Sequence, residues 1–385
     1  MARRAISVWS RAIDHQSIDA DEEEHLMSQS GSTIEIWILG ATGRIGRAVA
    51  ARLAGTDVSL VLVGRDPDRL AAAAVSIDDR IGTLVARSPE EAEAEITRHH
   101  PAVVINTIGP FARTAVPIAR PCLPGGHYLD LANGIVAVPA LLGLHEEAIA
   151  AGSTLITGAG FGVLATEALV AELCQGQPSP TTVRVDALPS VELKAGTLGQ
   201  ALAASIVEGL PAGGRRYEGG HLVRAKLGGD PQRITLPDGQ VLGVGNVPTG
   251  ELHAAWIASG APSVTATSSE APTGRPVRAI LPLAGAPMSI PSLRRFATRR
   301  LAAVRIKPRP RPRQHSWGHA VISWPDGTTR EGWLRAGDAM DYTAAVAAEI
   351  AARLAHSDAP PGAYTPAAAF GPLIAASVGA ELILD

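Results

Sequence analysis

The chain has 385 residues, 46% of them apolar and 18% charged, with a formal net charge of −3. That length exceeds one ordinary core and predicts about two domains. The composition is that of a soluble globular protein, and the small net charge excludes a general electrostatic attraction to nucleic acid or membrane.

Residues 1–30 are polar and charged. Arg3 and Arg4 are followed by acids rather than by an apolar run, so the reading is a disordered extension and not a signal peptide, with Met27 an alternative start to Met1. No stretch is apolar for long enough to predict a membrane span. Cys122 and Cys174 fit no zinc or redox spacing, so a reduced, cytoplasmic setting is expected.

From Thr33 the pattern changes. Ile34–Leu39 predicts a strand, Arg44–Ala54 a helix, and Val58–Val63 a second strand. Pro67–Ala74 predicts a helix, Gly82–Val85 a third strand, and Pro89–His99 a helix with an acidic first turn. Val103–Asn106 predicts a fourth strand, Val116–Leu123 a helix, and Tyr128–Leu131 a fifth strand. Val138–Ala151 reads as one long helix ended by Gly152, and Thr154–Thr157 as a sixth strand. This alternation predicts an α/β fold, a Rossmann-type doubly wound parallel sheet forming an NAD(P)-binding domain over 31–165.

After Gly160 the rhythm breaks. Thr182–Leu188 predicts a strand, Gly196–Glu208 a helix, and Arg233–Leu236 and Ser263–Thr267 further strands. His319–Trp324 and Thr328–Leu334 predict a hairpin about Pro325-Asp326-Gly327. The expectation over 166–340 is an α+β substrate and dimerisation domain. The open face of its sheet suggests a homodimer. Arg294–Arg313 is strongly basic and reads as a solvated helix with a stiff, proline-rich connector rather than as a nucleic-acid surface. Asp341–Leu354 is the final predicted helix, and 341–385 is expected to pack back on the Rossmann domain.

The main chemical signal is Gly40-Ala41-Thr42-Gly43-Arg44-Ile45-Gly46, placed between a predicted strand and a predicted helix. Gly40 permits a tight turn, Gly43 leaves space for a pyrophosphate, and Gly46 lets helix and strand approach. The helix then offers its unpaired N–H groups to phosphate. At the end of the second strand, where an NAD site usually carries an acid, stands Gly64-Arg65. A guanidinium can grip the 2′-phosphate of NADP, with Arg44 as a helper, so NADP is expected over NAD. Asp66, one residue later, keeps NAD open. The turn Asn106-Thr107-Ile108-Gly109-Pro110-Phe111 after the fourth strand would line the nicotinamide end, with Asn106, Gly109 and Pro110 as candidates. No spacing predicts a metal site.

Three runs together, VVINTIGPFAR (103–113), Gly126-His127-Tyr128-Leu129-Asp130-Leu131 and Gly158-Ala159-Gly160-Phe161, resemble the saccharopine dehydrogenase-like NADP-binding family. That family includes saccharopine reductases and trans-acting enoyl reductases. The resemblance continues in Lys194-Ala195-Gly196-Thr197, in 249–264 and in 365–371. It departs at Ala132-Asn133-Gly134, where the family reads Thr-Gly-Glu, and at Gly162, where it reads Asp. It implies an NADP-dependent oxidoreductase that transfers a hydride to a C=C, C=N or C=O bond of a small or carrier-bound metabolite. The departures leave open an NADPH-binding regulatory or scaffold protein without net redox turnover, and a cofactor-assisted isomerase is a further alternative. The product anion needs a proton. Candidates are Tyr128, Lys194, His127 and Glu167, each of which also admits a purely structural role.

Overall fold

The structure, a computed structural model, describes residues 34–384 except 194, 200–202, 205, 208, 210, 212, 272–273, 275–286 and 289. The chain begins with β1 (Ile34–Leu39), α1 (Arg44–Leu53), β2 (Val58–Gly64), α2 (Pro67–Ile77), β3 (Gly82–Val85) and α3 (Pro89–His99). Proline opens both α2 and α3, where its missing N–H costs nothing, and Asp66 and Ser88 cap them by accepting from the amides of Arg69 and Glu91. Next come β4 (Val103–Asn106), α4 (Phe111–Ala119), β5 (His127–Asp130), α5 (Ala137–Leu142), α6 (His145–Ala150), β6 (Thr154–Ile156) and α7 (Phe161–Cys174).

The single helix expected over Val138–Ala151 is two. Leu144 leaves helical geometry at φ −88°, ψ 8°, and its side chain is buried in the core. The helix expected from Val116 begins earlier, at Phe111, directly after Pro110.

The rest comprises β7 (Thr182–Leu188), β8 (Gly196–Thr197), β9 (Gly214–Glu218), β10 (His221–Ala225), β11 (Gln232–Thr235), β12 (Val241–Asn246), α8 (Gly250–Ser259), β13 (Ser263–Ser268), α9 (Pro291–Ala302), β14 (Arg305–Ile306), β15 (Ser316–Ser323), β16 (Thr329–Ala336), α10 (Ala339–Ala355), β17 (Gly362–Tyr364), α11 (Pro366–Phe370), α12 (Ile374–Ser377) and β18 (Glu381–Leu384). The helix expected from Gly196 instead opens as a strand, because Gly196 and Thr197 pair with Ile306 and Arg305. The β9–β10 hairpin escaped the sequence reading, since Arg215, Arg216, Glu218 and Arg224 hide its apolar alternation.

Two sheets carry the fold. The first has seven parallel strands in the order β17-β6-β5-β4-β1-β2-β3. Its central strands, β1, β4, β5 and β6, are buried on both faces, and β1 and β4 accordingly read as nearly continuous apolar runs. In β1, Ile36 and Ile38 face a layer with Val49 of α1 and Leu70 of α2, while Trp37 and Leu39 face Ile96 of α3 and Ile118 of α4. The second sheet is mixed, in the order β10-β9-β13-β7-β15-β16-β18, with β12 also paired to β13. Helix α7 is buried along nearly its whole length and packs on β7, β15 and β16 and against α8. The C-terminal segment serves both sheets. Helix α10 packs on α1, β17 closes one edge of the parallel sheet, and β18 one edge of the mixed sheet.

The strand order reverses direction between β1 and β4. In an open α/β sheet, the crevice at the carboxyl ends of the strands beside such a point is where a ligand binds. No described helix is long and apolar enough to cross a membrane.

Candidate nucleotide-binding crevice

At the carboxyl end of β1, Gly40 takes φ +75°, and its N–H donates to Val63 O at 3.0 Å. The turn closes with Gly43 N–H to Gly40 O at 2.9 Å. A Cβ on Gly46 would lie 2.7 Å from Ala41 Cα and 2.8 Å from Gly40 O, so helix and loop meet only because no side chain is there. Gly43 caps α1 without any side-chain bond, and no acid sits in the first turn. The first amides of α1 are therefore left for an outside acceptor, as an anion-binding helix requires. Thr42 and Ile45 flank this loop, half-buried.

Arg65 follows β2 and is exposed. Asp66 beside it is occupied, since its Oδ1 accepts the Arg69 N–H at 3.1 Å and caps α2. Arg44 turns the other way. Its Nη1 donates to Glu192 O at 2.9 Å, and its Nη2 lies 3.5 Å from Asp338 Oδ1, so it ties the loop to the start of α10. The expected help from Arg44 at a 2′-phosphate is not what this arrangement provides.

Asn106 is fully buried, beneath the turn rather than on it. Its Oδ1 accepts the Ile108 N–H at 2.9 Å, and its Nδ2 donates to the Tyr128 hydroxyl at 3.0 Å. It shapes the turn whose surface Gly109 and Pro110 form, half-buried and joined by a cis peptide bond.

The sequence-predicted proton donors are not brought together. Tyr128 is wholly enclosed, and its hydroxyl donates to Asp130 Oδ2 at 3.0 Å. Burial, with the charge of Asp130 beside it, pushes this phenol well above its ordinary range. His127 is the first residue of β5, at the amino edge of the parallel sheet and so away from the crevice. Its Nδ1 accepts the Thr154 N–H at 3.0 Å, and burial lowers its affinity for a proton. Glu167 lies inside α7, where it receives the Thr365 hydroxyl and the N–H groups of Ala367 and Ala368, the latter two at 3.0 Å. Burial pushes its carboxyl up to about 7 against those bonds. All three side chains hold the fold where the sequence reading offered them for chemistry. Lys194 lies outside the described residues.

Two further acids were missed. Asp130, fully buried, accepts from the amides of Ala132 at 2.9 Å and Gly158 at 3.3 Å and from the Thr157 hydroxyl at 2.8 Å, joining the loops after β5 and β6. The second is Glu251, in the first turn of α8 and 3% exposed. Its Oε1 accepts from Asn133 Nδ2 at 3.0 Å, and Asn133 Oδ1 accepts the Gly250 N–H at 3.1 Å. A side chain at Gly162 would collide with this carboxyl. The departures from the family pattern at 133 and 162 thus meet at one acid. Among the described residues, Glu251 Oε2 and Thr249 Oγ1 have no hydrogen-bond partner. Burial, reinforced by the like charge of Glu270, raises the Glu251 carboxyl above its ordinary range, against the bond from Asn133 that favours the charged form. The only sequence signal was an isolated acid opening an apolar helix, which ordinarily reads as a partner for the helix dipole.

Among the described residues, no three His, Cys, Asp or Glu side chains are grouped so as to hold a metal ion. No protein-family model matches the chain. A trans-acting enoyl reductase of Mycobacterium ulcerans is 30% identical over 146 residues, 35% of this chain and 34% of the relative. A protein of the same name from Mycobacterium tuberculosis is 26% identical over 154 residues, 38% of this chain and 37% of the relative. The alignments span about a third of the length of these curated relatives. Saccharopine dehydrogenase (L-Glu forming) of Saccharomyces cerevisiae has the same fold, with a TM-score of 0.56 at 12% identity over 91% of this chain and 99% of that one. The likeness to that structure is one of fold: the chain has a saccharopine dehydrogenase-like fold.

Proposed function

We propose that the chain is an NADP-dependent oxidoreductase that reduces an enoyl C=C bond on a small or carrier-bound metabolite. The observation that carries this reading is the cradle at Gly40–Gly46, where a side chain at Gly46 would strike the loop and the first amides of α1 have no internal acceptor. These are the features a pyrophosphate needs. Arg65 favours NADP, because it is exposed at the end of β2 while the neighbouring carboxylate of Asp66 is committed to a helix cap. The relatives named as enoyl reductases favour C=C over the C=N and C=O alternatives. When bound, the reduced nicotinamide supplies the hydride. The chain's own residues grip the phosphates and orient the two partners.

Titration of the protein with NADPH and NADH, followed by fluorescence, tests the first half. NADPH is expected to bind at least ten-fold more tightly, as a charge-assisted contact to one phosphate allows. Addition of short 2-enoyl thioesters, followed at the NADPH absorbance band, tests the second. Absence of binding by either nucleotide would remove the proposal.

A further inference from the structure

We infer that Asn133 is a cofactor-binding residue, whose amide, held in place by Glu251, presents its spare N–H and oxygen lone pair to the carboxamide of the nicotinamide. The inference rests on the cofactor reading above and concerns a residue at which the chain departs from the family it resembles.

The first argument is the contrast in exposure across one hydrogen bond. Asn133 is exposed in the loop after β5, and its partner Glu251 is buried. An exposed amide ordinarily samples several rotamers; this one is gripped at both ends from within the protein.

The second argument is that the grip has one sense. The Gly250 N–H can only donate, so it selects Oδ1 and leaves Nδ2 facing the Glu251 oxygen. A primary amide has two N–H donors and two oxygen lone pairs. One of each is used inward. One of each remains, and that pair complements another primary carboxamide, which also offers a donor and an acceptor.

The third argument is position. Arg65 and the adenosine side lie beyond β1 toward β2, whereas the loop carrying Asn133 lies on the opposite side, beyond β4. The strand that this loop follows, β5, lies two strand spacings, about 10 Å, from β1. That is the side on which the nicotinamide end must emerge if the pyrophosphate sits at α1.

The fourth is that the support is built at a cost. The Glu251 carboxyl fills space available only because residue 162 is glycine, and one of its oxygens is buried without a partner. A group of this kind in a folded core calls for a reason. Fixing the amide supplies one. Glu251 is on this account a positioning residue, since it touches Asn133 and not the ligand.

The test compares two ligands on the intact chain: NADPH, and 2′-phospho-ADP-ribose, which keeps the phosphates and lacks the nicotinamide. For Asn133→Ala and Glu251→Ala, NADPH is expected to bind about five- to ten-fold more weakly, with 2′-phospho-ADP-ribose unchanged. Glu251→Gln keeps an acceptor oxygen and is expected to bind NADPH within about two-fold of the parent protein. Melting curves establish that each variant is folded. A further arm needs no variant: the nicotinic acid analogue of NADP, whose carboxylate cannot donate, is expected to bind the parent protein more weakly than NADP does. Loss of affinity for both ligands alike, or for neither, in Asn133→Ala would overturn the assignment while leaving the cofactor reading intact. Failure of the parent protein to bind either ligand would remove both.

Discussion

Gly162 and Glu251 share one volume: a Cβ on the glycine would collide with Oε1 of the glutamate, 89 positions along the chain (251 − 162). The end of a glutamate is flexible, so Gly162→Ala would displace the carboxyl from Asn133 rather than move backbone. The substitution is expected to cost about 1–3 kcal/mol of stability, and less than half of that in a Glu251→Ala background. A double-mutant cycle measured by urea unfolding checks this. Equal costs in both backgrounds would show that the residues act independently.

Arg65 is the exposed cation at the end of β2. Arg65→Ala is expected to weaken NADPH binding by about 1.5–3 kcal/mol, the range for a hydrogen bond to a charged group, and to leave NADH binding nearly unchanged. Titration of the variant with both nucleotides measures the difference. A loss shared by the two nucleotides would place the contact on the pyrophosphate instead.

Tyr128 separates a structural role from a chemical one. Its hydroxyl receives a bond from Asn106 and donates one to Asp130, both at 3.0 Å and both buried. Tyr128→Phe strands two polar groups and is expected to cost about 1–3 kcal/mol of stability, with nucleotide affinity retained. Thermal or urea denaturation alongside an NADPH titration distinguishes the outcomes, and a variant of unchanged stability would contradict the network described.

Glu167 predicts a pH dependence. Its folded-state pKa of about 7 lies above the ordinary value of 4.5, chiefly through burial. Across that window the folded chain retains a proton that the unfolded chain has released. Stability therefore falls as pH rises from about 4.5 to about 7, by up to about 3 kcal/mol from this group. Glu167→Gln is expected to flatten the slope in that window. Denaturant midpoints across the range test it, and an unaltered slope would rule out Glu167 as its source.

Some of this protein is local and was open to sequence reasoning. The Gly40–Gly46 loop, the turn into α1 and the end of β2 at Arg65 depend on steric and periodic rules acting over a few residues. The same holds for the β15–β16 hairpin, whose turn and flanking strands are contiguous. Residues such as Tyr128 and Glu167 stood out by type, but type alone does not tell an open cleft from a sealed core.

That distinction belongs to tertiary structure. Glu167 became a brace because α11 arrives from 200 residues downstream to meet it. The seventh parallel strand comes from Gly362–Tyr364, too short to announce itself and strand-like only when laid beside β6. The Asn133–Glu251 pair joins positions 118 residues apart. Neither residue carries a periodic signal, because hydrophobic patterning records which face of an element is buried and not which polar groups from distant segments will satisfy one another. The sequence by itself determined a glycine cradle and an arginine beside it. The packing of α8 against α7 and the loop after β5 decided where the Glu251 carboxyl sits and what it bonds, since the cost of burying a carboxyl depends on every segment that encloses it.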